Sequence, residues 1–417
     1  MSRNISIIGS GHVGLVVAAC LARQGNQVTV VDTDEEKVRR VNARVCPIYE
    51  PGLQEILSQV NIQATSDYSL ISNSEIVFTC VPTPSNTDGS ISLGYIKDAI
   101  EQVSLTLRDK SDYYVVVVKS TVAPGTTEEV VIPILESSGK KAGIDFGVCM
   151  TPEFLREGKG VFDFMNPSRI VIGEHDRRSG DILCSLYRDF TAPVLRVNLK
   201  TAEMIKYASN AFLATKVSFI NEIGNICKRL GIDTYEVVKG MAYDERIGNK
   251  FLNAGIGFGG SCLRKDLAAL IAKARQIDYE PSILREVFNL NERQAVKMID
   301  LLKRHISVKD STVGLLGLSF KPEADNVNGS LAVTVVNALL KEGARLKAYD
   351  PQAMANLDGL FPRVECVAEE EVLGCDAILI LTEWEEFEHL DYRGKIVIDG
   401  RRILKAKEAE IYEGVCW

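Results

Sequence analysis

The stretch Ile5-Ser6-Ile7-Ile8-Gly9-Ser10-Gly11-His12-Val13-Gly14 decides the fold that we expect for the N-terminal part of the chain. An apolar strand breaks at a GxGxxG turn, and a helical pattern follows from Leu15 to Gly25. A second apolar run, residues 27–31, ends in Asp32. A glycine turn between strand and helix, with an acid about 20 residues further on, is typical of dinucleotide-binding βαβ units. The alternative is a glycine-rich turn without a ligand.

The residues of this motif have separate roles in the dinucleotide interpretation. Gly9 makes the turn, Gly11 lets the pyrophosphate approach the backbone, and Gly14 lets helix and strand pack. Asp32 would accept hydrogen bonds from ribose hydroxyls and repel a 2′-phosphate, which favours NAD over NADP. Lys37 could reach the same ribose or be an exposed helix lysine.

Two further apolar runs, residues 75–81 and 113–119, predict more strands of the same sheet. Thr83 follows the first run and Thr121 follows the second. Because ligands bind at the carboxyl ends of strands in doubly wound sheets, both threonines are candidate cofactor or water contacts. Ordinary turn-forming threonines are the alternative.

Residues 151–158, Thr-Pro-Glu-Phe-Leu-Arg-Glu-Gly, predict the start of a helix with Thr151 as N-cap and Pro152 at the first position. Glu153 and Glu157 would then lie one turn apart on one face. One of them could accept a proton or position a water, or both could be on an exposed face.

A helical pattern of about 30 residues begins around Asn198 and would span about 45 Å. We interpret it as the connector between two halves of the chain. Lys206 and Asn210 are four residues apart on one face of this helix. They could direct a cation and an amide donor at the same oxygen, or be a pair of solvated side chains.

Residues 257–266, Gly-Phe-Gly-Gly-Ser-Cys-Leu-Arg-Lys-Asp, predict a thiol nucleophile, Cys262, presented in a tight loop. Small residues let the backbone approach a ligand, Lys265 is a cation that favours a thiolate, and Asp266 could order a water. A buried free cysteine after a glycine turn is the alternative. Helical patterns follow at 267–275 and 283–303.

From residue 311 the strand pattern starts again, without a GxGxxG motif. Strand-like runs at 345–349, 377–381 and 395–398 predict a second Rossmann-like half for a second nucleotide-like ligand. The expected fold class is α/β, with two Rossmann-like doubly wound domains joined by a long central helix. We expect an N-terminal domain at 1–198, a central helical domain at 199–305 and a C-terminal domain at 306–417.

The composition of the 417 residues is that of a globular protein, with 46% apolar and 25% charged residues. A net charge of −8 without a basic tract makes nucleic acid or an anionic membrane an unsuitable partner. The lack of a long apolar run or a signal-peptide pattern predicts a cytoplasmic protein. Ten scattered cysteines and four histidines, with no CxxC pair, predict reduced thiols and no metal site.

Together these motifs resemble the UDP-glucose/GDP-mannose dehydrogenase family of nucleotide-sugar 6-dehydrogenases along nearly the whole chain. Within the family, residues 163–173 are more similar to the UDP-glucose branch. The matching motifs are GxGxVG at 9–14, YEPGL at 49–53, STVxPGT at 120–126, PEFLREG at 152–158, the Lys206/Asn210 helix, RIG at 246–248, GFGGSCxxKD at 257–266, SFKP at 319–322, TEW at 382–384 and DGR at 399–401.

The resemblance implies a four-electron oxidation of a sugar C6 alcohol to a carboxylate with two NAD per turnover, through a thiohemiacetal and a thioester on the cysteine. The catalytic residues would be Cys262, Lys206, Asn210, Asp266, Glu153 and Thr121. The cofactor-binding residues would be Val13, Asp32, Lys37, Thr83, Thr121 and Lys265, beside Gly9, Gly11 and Gly14. The substrate-binding residues would be Phe154, Leu155, Glu157, Lys206, Asn210, Phe251, Leu252, Asn253, Ala254, Gly255, Gly259 and Lys321. A homodimer through the central helix is also implied.

The chain departs from the family pattern in four places. His12 stands for Tyr, Thr151 for Asn and Arg264 for Pro, and Asn328-Gly329 replaces Arg-Glu. The family's Arg at position 328 usually meets the cofactor, so we hypothesise that Arg264 compensates for its loss.

Three other functions stay open at this point. The same chemistry could act on GDP-mannose or on a UDP-N-acetylhexosamine. A two-electron hydroxyacid dehydrogenase would explain the first Rossmann unit but leaves Cys262 without a role. A non-catalytic nucleotide-sugar-binding protein is argued against by the presence of Cys262, Lys206, Asn210 and Asp266 together.

Overall fold

A computed structural model gives the fold of residues 2–327, 329–357 and 360–417. The chain divides into two compact units, Met1–Ala208 and Ser209–Trp417.

The first unit is built on an eight-stranded sheet. Its strands are β1 (Asn4–Ile8), β2 (Gln27–Val31), β3 (Ile62–Thr65), β4 (Ile76–Thr79), β5 (Tyr114–Val118), β6 (Phe146–Met150), β7 (Ile170–Glu174) and β8 (Val194–Val197). Their order is β3-β2-β1-β4-β5-β6-β7-β8, and the only antiparallel neighbours among these named strands are β6 and β7. The order 3-2-1-4-5-6 is that of the Rossmann fold.

Helices cover this sheet. They are α1 (His12–Arg23), α2 (Glu35–Asn42), α3 (Leu53–Gln59), α4 (Gly94–Leu107), α5 (Ile132–Glu136), α6 (Gly160–Met165) and α7 (Arg177–Leu186), with a 3-10 helix at Tyr68–Asn73 and a π-helical turn at Thr127–Val131. All five residues of β5 are buried, as expected for a strand with helices on both faces. Ile5 and Ile7 of β1 share one core with Leu15 and Val16 of α1.

Helix α8 (Leu199–Leu230) is the long central helix. Its 32 residues begin in the first unit and continue into the second. This confirms the connector that the helical pattern predicts.

The second unit contains the rest of α8, further helices and a six-stranded parallel sheet. The helices are α9 (Thr234–Met241), α10 (Ser261–Gln276), α11 (Ser282–Gln294), α12 (Lys297–Leu302), α13 (Leu331–Lys341), α14 (Met354–Leu357) and α15 (Glu369–Leu373), with 3-10 helices at Glu385–His389 and Lys405–Glu408. The strands are β9 (Thr312–Leu316), β10 (Arg345–Tyr349), β11 (Val364–Cys366), β12 (Ala377–Ile380), β13 (Ile396–Asp399) and β14 (Ile411–Gly414).

The second sheet has the order β11-β10-β9-β12-β13-β14, which is again the Rossmann order counted from its own first strand. The expected α/β class with two Rossmann-like domains and a central helix is therefore confirmed. Met298 and Ile299 of α12 lie in the same core as Val313 and Leu315 of β9. The finer division at 198/199 and 305/306 stays a prediction.

The helix expected over residues 151–158 is wrong. Residues 151–159 form no helix, and α6 begins only at Gly160. Backbone N–H groups in this segment donate to side-chain carboxylates, which competes with a helical ladder. The bonds are Leu155 N–H to Glu153 Oε2 (2.7 Å), Arg156 N–H to Asp163 Oδ2 (2.9 Å) and Gly158 N–H to Glu50 Oε2 (3.0 Å). Glu153 and Glu157 are therefore not stacked on one helix face.

Candidate active site

The glycine turn between β1 and α1 has the geometry that a dinucleotide requires. Gly9 has φ +96°, and a Cβ there would lie 2.8 Å from the carbonyl oxygen of Cys80. A Cβ on Gly14 would overlap the carbonyl oxygen of Gly9. At Gly11, by contrast, no atom of the described residues lies within 4 Å of the Cβ position. The turn is therefore tight on the protein side and open where a pyrophosphate would approach.

Asp32 lies at the carboxyl end of β2 and holds the same turn. Its Oδ2 accepts hydrogen bonds from the Ser10 N–H and hydroxyl, both at 2.6 Å, and its Oδ1 accepts from the Asp34 N–H at 2.9 Å. Burial alone would raise the pKa of Asp32, but these bonds hold it below its usual value. The half-buried carboxylate is thus ionised and able to accept from ribose hydroxyls. Lys37 lies on α2 with its Nζ 3.5 Å from Asp34.

Thr83 and Thr121 lie in the connections after β4 and β5, at the same sheet edge as the glycine turn. Thr83 is buried and Thr121 is half-buried, as is Val13 in the first turn of α1. Ser120 links the connection after β5 to the end of β4 by hydrogen bonds. Its N–H donates to Thr79 O (3.0 Å) and its hydroxyl donates to Val81 O (2.7 Å). The structure therefore brings the predicted cofactor residues of the first unit to one edge of the sheet.

Glu153 and Lys206 form a buried ion pair in the first unit. Lys206 Nζ lies 2.7 Å from Glu153 Oε1, and both side chains are at most 8% exposed. Burial alone would raise the pKa of Glu153, but Lys206 and the Leu155 N–H hold it below its usual value. Glu153 is therefore a fixed, ionised carboxylate.

The predicted substrate residues beside this pair are half-buried. The Phe154 ring has the Arg169 guanidinium 3.7 Å and Lys206 Nζ 5.6 Å from its centroid, which are cation–π distances. Leu155 packs against the core of the first unit, and Glu157 is half-buried.

Two buried groups at this edge escaped the sequence analysis. Lys119 Nζ donates a long hydrogen bond, 3.4 Å, to Thr151 O, and burial lowers the pKa of its amine. Glu203 on α8 accepts from the Gly125 N–H (2.6 Å) and from the N–H and hydroxyl of Thr127 (2.8 and 2.6 Å). Glu203 therefore ties the loop after Thr121 to α8. The available signal was its position three residues before Lys206, on the same helix face.

Cys262 is the second residue of α10, so the expectation of a nucleophile inside a loop is corrected. The loop ends at Gly260, whose φ of +88° closes the turn, and the helix begins at Ser261. The thiol is exposed, which excludes the buried-cysteine alternative, and its Sγ lies 3.7 Å from Ser261 Oγ. The N–H groups of a first helical turn stabilise an anionic sulfur.

Asp266 contacts two other predicted residues of the second unit. Its buried carboxylate accepts from Asn210 Nδ2 at 2.7 Å and from Lys265 Nζ at 2.9 Å. Lys206 and Asn210 lie four residues apart on α8, as predicted, and the hydrogen bonds place a carboxylate beside each, Glu153 and Asp266. A shared target oxygen for the two side chains stays a prediction.

The loop before Cys262, residues 251–260, has its backbone fixed from several sides. Phe251 and Asn253 are exposed, whereas Leu252 and Ala254 are buried. A Cβ on Gly255 would overlap the carbonyl oxygen of Gly400. The fixing bonds are Gly255 N–H to Asn221 Oδ1 (2.8 Å), Gln294 Nε2 to Gly255 O (2.8 Å), Tyr235 Oη to Ala254 O (2.9 Å), Phe258 N–H to Asn291 Oδ1 (2.8 Å) and Asn291 Nδ2 to Phe258 O (3.0 Å).

The connection after β9 packs against the end of this loop. A Cβ on Gly260 would lie 2.9 Å from the Phe320 ring, and one on Gly259 would lie 3.1 Å from Gly329 O. Lys321 Nζ stands 5.6 Å from the centroid of the Phe320 ring. The structure thus brings Lys321, Gly259 and the start of α10 into one region of the second unit.

Arg264, the residue that we expect to compensate for the family's Arg, is engaged elsewhere. Its guanidinium lies 2.6 Å from Glu292 Oε2 and 5.7 Å from the Phe288 ring centroid, both on α11. Asn328 lies outside the described residues, so the hypothesis stays a prediction.

Two Rossmann sheets, an open glycine turn with an ionised acid, and an exposed thiol at a helix start define a nucleotide-dependent oxidoreductase. Three family models match the chain in order: the NAD binding domain at residues 3–191, the central domain at 200–293 and the UDP binding domain at 314–406. The chain belongs to the UDP-glucose/GDP-mannose dehydrogenase family, and it is an NAD-dependent nucleotide-sugar dehydrogenase.

Individual relatives match over almost their full length. The UDP-glucose 6-dehydrogenase AglM of Haloferax volcanii is 43% identical over 99% of both chains. The GDP-mannose 6-dehydrogenase of Pseudomonas aeruginosa is 38% identical over 99% of this chain and 100% of its own. A solved structure of a UDP-glucose dehydrogenase from Pyrobaculum islandicum is 40% identical, with a TM-score of 0.97 over 100% of this chain and 98% of that one.

Other features of the described residues bear on partners and metals. All ten cysteines are free thiols. No three histidine, cysteine, aspartate or glutamate side chains of the described residues cluster as metal ligands. None of the helices within the described ranges has the length and apolarity to cross a bilayer.

Proposed function

We propose that this chain is a UDP-glucose 6-dehydrogenase, which oxidises the C6 alcohol of UDP-glucose to the carboxylate of UDP-glucuronate. The main observation behind this proposal is the exposed thiol of Cys262 in the first turn of α10. This helix directly follows the loop with the fixed backbone. A two-electron hydroxyacid dehydrogenase needs no such nucleophile. The UDP-glucose relatives at 43% and 40% identity support the choice of sugar.

The first unit would hold NAD. Gly9, Gly11 and Gly14 would admit the pyrophosphate, and Asp32 would accept from the ribose hydroxyls. Val13, Lys37, Thr83 and Thr121 would complete its contacts there, and the family resemblance also assigns Lys265 to the cofactor. When bound, NAD accepts a hydride in each of the two oxidations.

Cys262 would retain the sugar between the oxidations. Its Sγ forms a bond to C6 of the aldehyde, and the carbonyl oxygen becomes an oxyanion. Lys206 and Asn210 would stabilise this oxygen with a cation and an amide donor. Loss of the second hydride from C6 then leaves a thioester, so that the thiol divides one difficult oxidation into separate steps.

Hydrolysis of the thioester needs a base for water. The oxygen of water bonds to C6, its proton goes to a carboxylate, and the C–S bond breaks to release the thiolate. Glu153 is suited to this, because Lys206 and the Leu155 N–H keep it ionised and fixed. Asp266 and Thr121 would order protons and water, and Glu157 would contact sugar or cofactor.

The nucleotide sugar would bind the fixed loop of the second unit. Phe251, Leu252, Asn253, Ala254, Gly255 and Gly259 would present backbone groups to it, and Lys321 would meet its charge. The family resemblance also assigns Phe154 and Leu155 to the substrate. Because Asn221, Gln294 and Asn291 already fix this loop, little ordering is required on binding.

We further propose a homodimer through α8. Met204, Phe212, Phe219, Ile226 and Leu230 are between 43% and 67% exposed and recur along one side of this helix. Exposed apolar stripes of this kind mark protein interfaces. We also place the protein in the cytoplasm, where a reduced Cys262 thiol persists.

A substrate panel tests the choice of sugar. We expect kcat/KM with NAD to be at least roughly a hundredfold higher for UDP-glucose than for GDP-mannose or UDP-N-acetylglucosamine. A preference for GDP-mannose would favour the other branch of the family, to which the 38% identical Pseudomonas aeruginosa enzyme belongs. Binding of UDP-glucose without any NADH formation would instead indicate a non-catalytic binding protein.

A further inference from the structure

The motif Tyr49-Glu50-Pro51-Gly52-Leu53 has no role in the proposed reaction, although its glutamate is buried. The Glu50 side chain is 0% exposed. Its two oxygens accept from backbone N–H groups more than 100 residues later in the chain, Gly158 N–H at 3.0 Å and Gly160 N–H at 2.7 Å. Glu50 therefore fixes the end of the segment that begins with Glu153.

The same carboxylate faces the glycine turn of the first unit. His12, the first residue of α1, has its Nε2 3.2 Å from Glu50 Oε2. This nitrogen is buried and makes no hydrogen bond to any described residue, although it lies next to the Glu50 carboxylate. His12 is also a position at which the chain departs from the family pattern.

Gly160 leaves no free space between these groups. A Cβ at this position would lie 3.0 Å from His12 Nε2, 3.4 Å from Val16 and 3.5 Å from the Glu50 carboxyl carbon. The glycine turn, the YEPGL motif and the segment after β6 therefore meet at one buried carboxylate. Since packed protein interiors transmit small displacements, a change at one of these three segments moves the others.

We propose that Glu50 is a positioning residue. It holds the segment 153–158 in a fixed position relative to the glycine turn that receives the cofactor. The proposal rests on the proposed function for the roles of Glu153 and the turn. Glu153 depends on this segment, because the Leu155 N–H fixes one of its oxygens. The turn itself is also held by Asp32, so that cofactor binding depends less on Glu50.

Glu50→Gln tests this role with almost no change of shape. The amide keeps one oxygen acceptor but turns an N–H₂ group toward the second backbone N–H, which then loses its partner. Glu55→Gln is the matched control, because Glu55 lies on the nearby helix α3 with an exposed side chain. Both variants are compared with the wild type by kinetics, by NADH titration and by hydrogen exchange of the peptide around residues 154–162.

We expect kcat with UDP-glucose to fall by about tenfold to a hundredfold in Glu50→Gln, the range for a misplaced catalytic group. The Kd for NADH should change by less than about threefold, and the amides of 154–162 should exchange faster. Glu55→Gln should match the wild type in all three measurements. If Glu50→Gln does not fold, Glu50→Asp, which shortens the side chain, should show the same separation of kcat from the NADH Kd.

The proposal is overturned if kcat is unchanged while only the melting temperature falls, because Glu50 would then act on stability alone. Equal losses of kcat and NADH affinity would also overturn it. If the wild type forms no NADH from any nucleotide sugar, the proposed function fails separately. The role of Glu50 is then decided by two measurements on Glu50→Gln, the hydrogen exchange rate of residues 154–162 and the Kd for NADH. Faster exchange with an unchanged Kd supports the proposal, and unchanged exchange overturns it.

Discussion

Cys262 is the residue on which the proposed chemistry depends. Its position in the first turn of α10 gives the sulfur a set of helical N–H groups as anion stabilisers, and its side chain is exposed. The conversion of the sugar aldehyde to a carboxylate through a thioester needs that sulfur.

We therefore expect Cys262→Ser to lose turnover to the carboxylate by at least about a hundredfold, because a serine hydroxyl is a far weaker nucleophile at neutral pH. The measurement is NADH formation with UDP-glucose under saturating NAD. Cys375→Ser is the control, since Cys375 is a half-buried thiol of the second unit without an assigned role. Near-normal turnover in Cys262→Ser would refute the nucleophile.

Asp399 at the end of β13 is a buried acid with an unusual titration. Burial raises its pKa to about 6, although the Arg401 N–H, the Tyr412 hydroxyl and the Arg402 N–H all donate to it. A folded pKa above the unfolded value means that the stabilising contribution is present below about pH 4 and is lost as pH rises through 6.

Asp399→Asn should remove this pH dependence. We expect the unfolding free energy of the wild type, relative to the variant, to fall by roughly 2–3 kcal/mol between pH 4 and pH 8. Denaturant unfolding at the two pH values measures it. Asp300→Asn, at an exposed position of α12, should show no such change. A difference between wild type and Asp399→Asn that is independent of pH would contradict the assignment.

The sequence predicts the role of some site residues and gives no signal for others. Asp32 stands at a fixed place in a known motif, and the structure finds it ionised beside the glycine turn. Lys119 and Glu203 belong to no motif, and only the three-dimensional packing shows that they are buried next to Thr151 and the loop at 125–127. A buried polar group is defined by its partners, which are distant in sequence.

At the scale of elements, α11 supports the loop at 251–260, to which we assign substrate binding in the proposed function. Asn291 pairs with both the N–H and the carbonyl of Phe258, as a neighbouring strand would, and it is 1% exposed. Removing this amide leaves two buried backbone groups without partners, each costing roughly 1–3 kcal/mol.

We expect Asn291→Leu to lower kcat/KM for UDP-glucose by at least about tenfold, because the loop at 251–260 loses its fixed geometry. The apparent Kd for NADH should stay close to that of the wild type. Asn289→Leu serves as the control on the same helix, since the side-chain bond of Asn289 among the described residues is a 3.3 Å bond to Glu286 on the same helix. Unchanged kinetics in Asn291→Leu would show that the loop does not need this support.

The sequence predicts the elements whose pattern is local. The limits of β1, β2 and β10 follow from short strand-like runs ended by Gly9, Asp32 and Asp350, and α8 follows from its long helical period. The segment 151–158 defeats this reasoning, because its N–H groups are taken by Glu50 and Asp163, which lie outside it. A prediction from local helix signals does not include hydrogen bonds to residues outside the segment.

At the scale of the whole molecule, the two sheets share the Rossmann strand order, but the acids that follow their second strands have different surroundings. Asp350 ends β10 as Asp32 ends β2. The carboxylate of Asp350 is fully used within the protein, accepting from the Leu318 N–H, the Ser319 N–H and hydroxyl, and Trp384 Nε1. It has no exposed oxygen for a ribose, which fits the lack of a GxGxxG motif in this half. In the proposed function, the second unit binds its ligand through the loop at 251–260 instead.

The proposed homodimer gives a prediction at the same scale. Phe212 is 64% exposed on α8, so Phe212→Asp should leave the fold of the subunit intact while placing a charge in the interface. We expect sedimentation to show a dimer for the wild type and a monomer for the variant. Phe162→Asp, at a 61% exposed phenylalanine on α6, should remain dimeric. A wild type that sediments as a monomer would contradict the assignment.

The stoichiometry of NADH tests the central claim most directly. The protein is incubated with a limiting amount of UDP-glucose and excess NAD, and NADH is counted at completion together with the sugar product. The proposed thioester route through Cys262 predicts two NADH per UDP-glucose, with UDP-glucuronate as the product. One NADH per sugar, with an aldehyde or a ketone as the product, would contradict it.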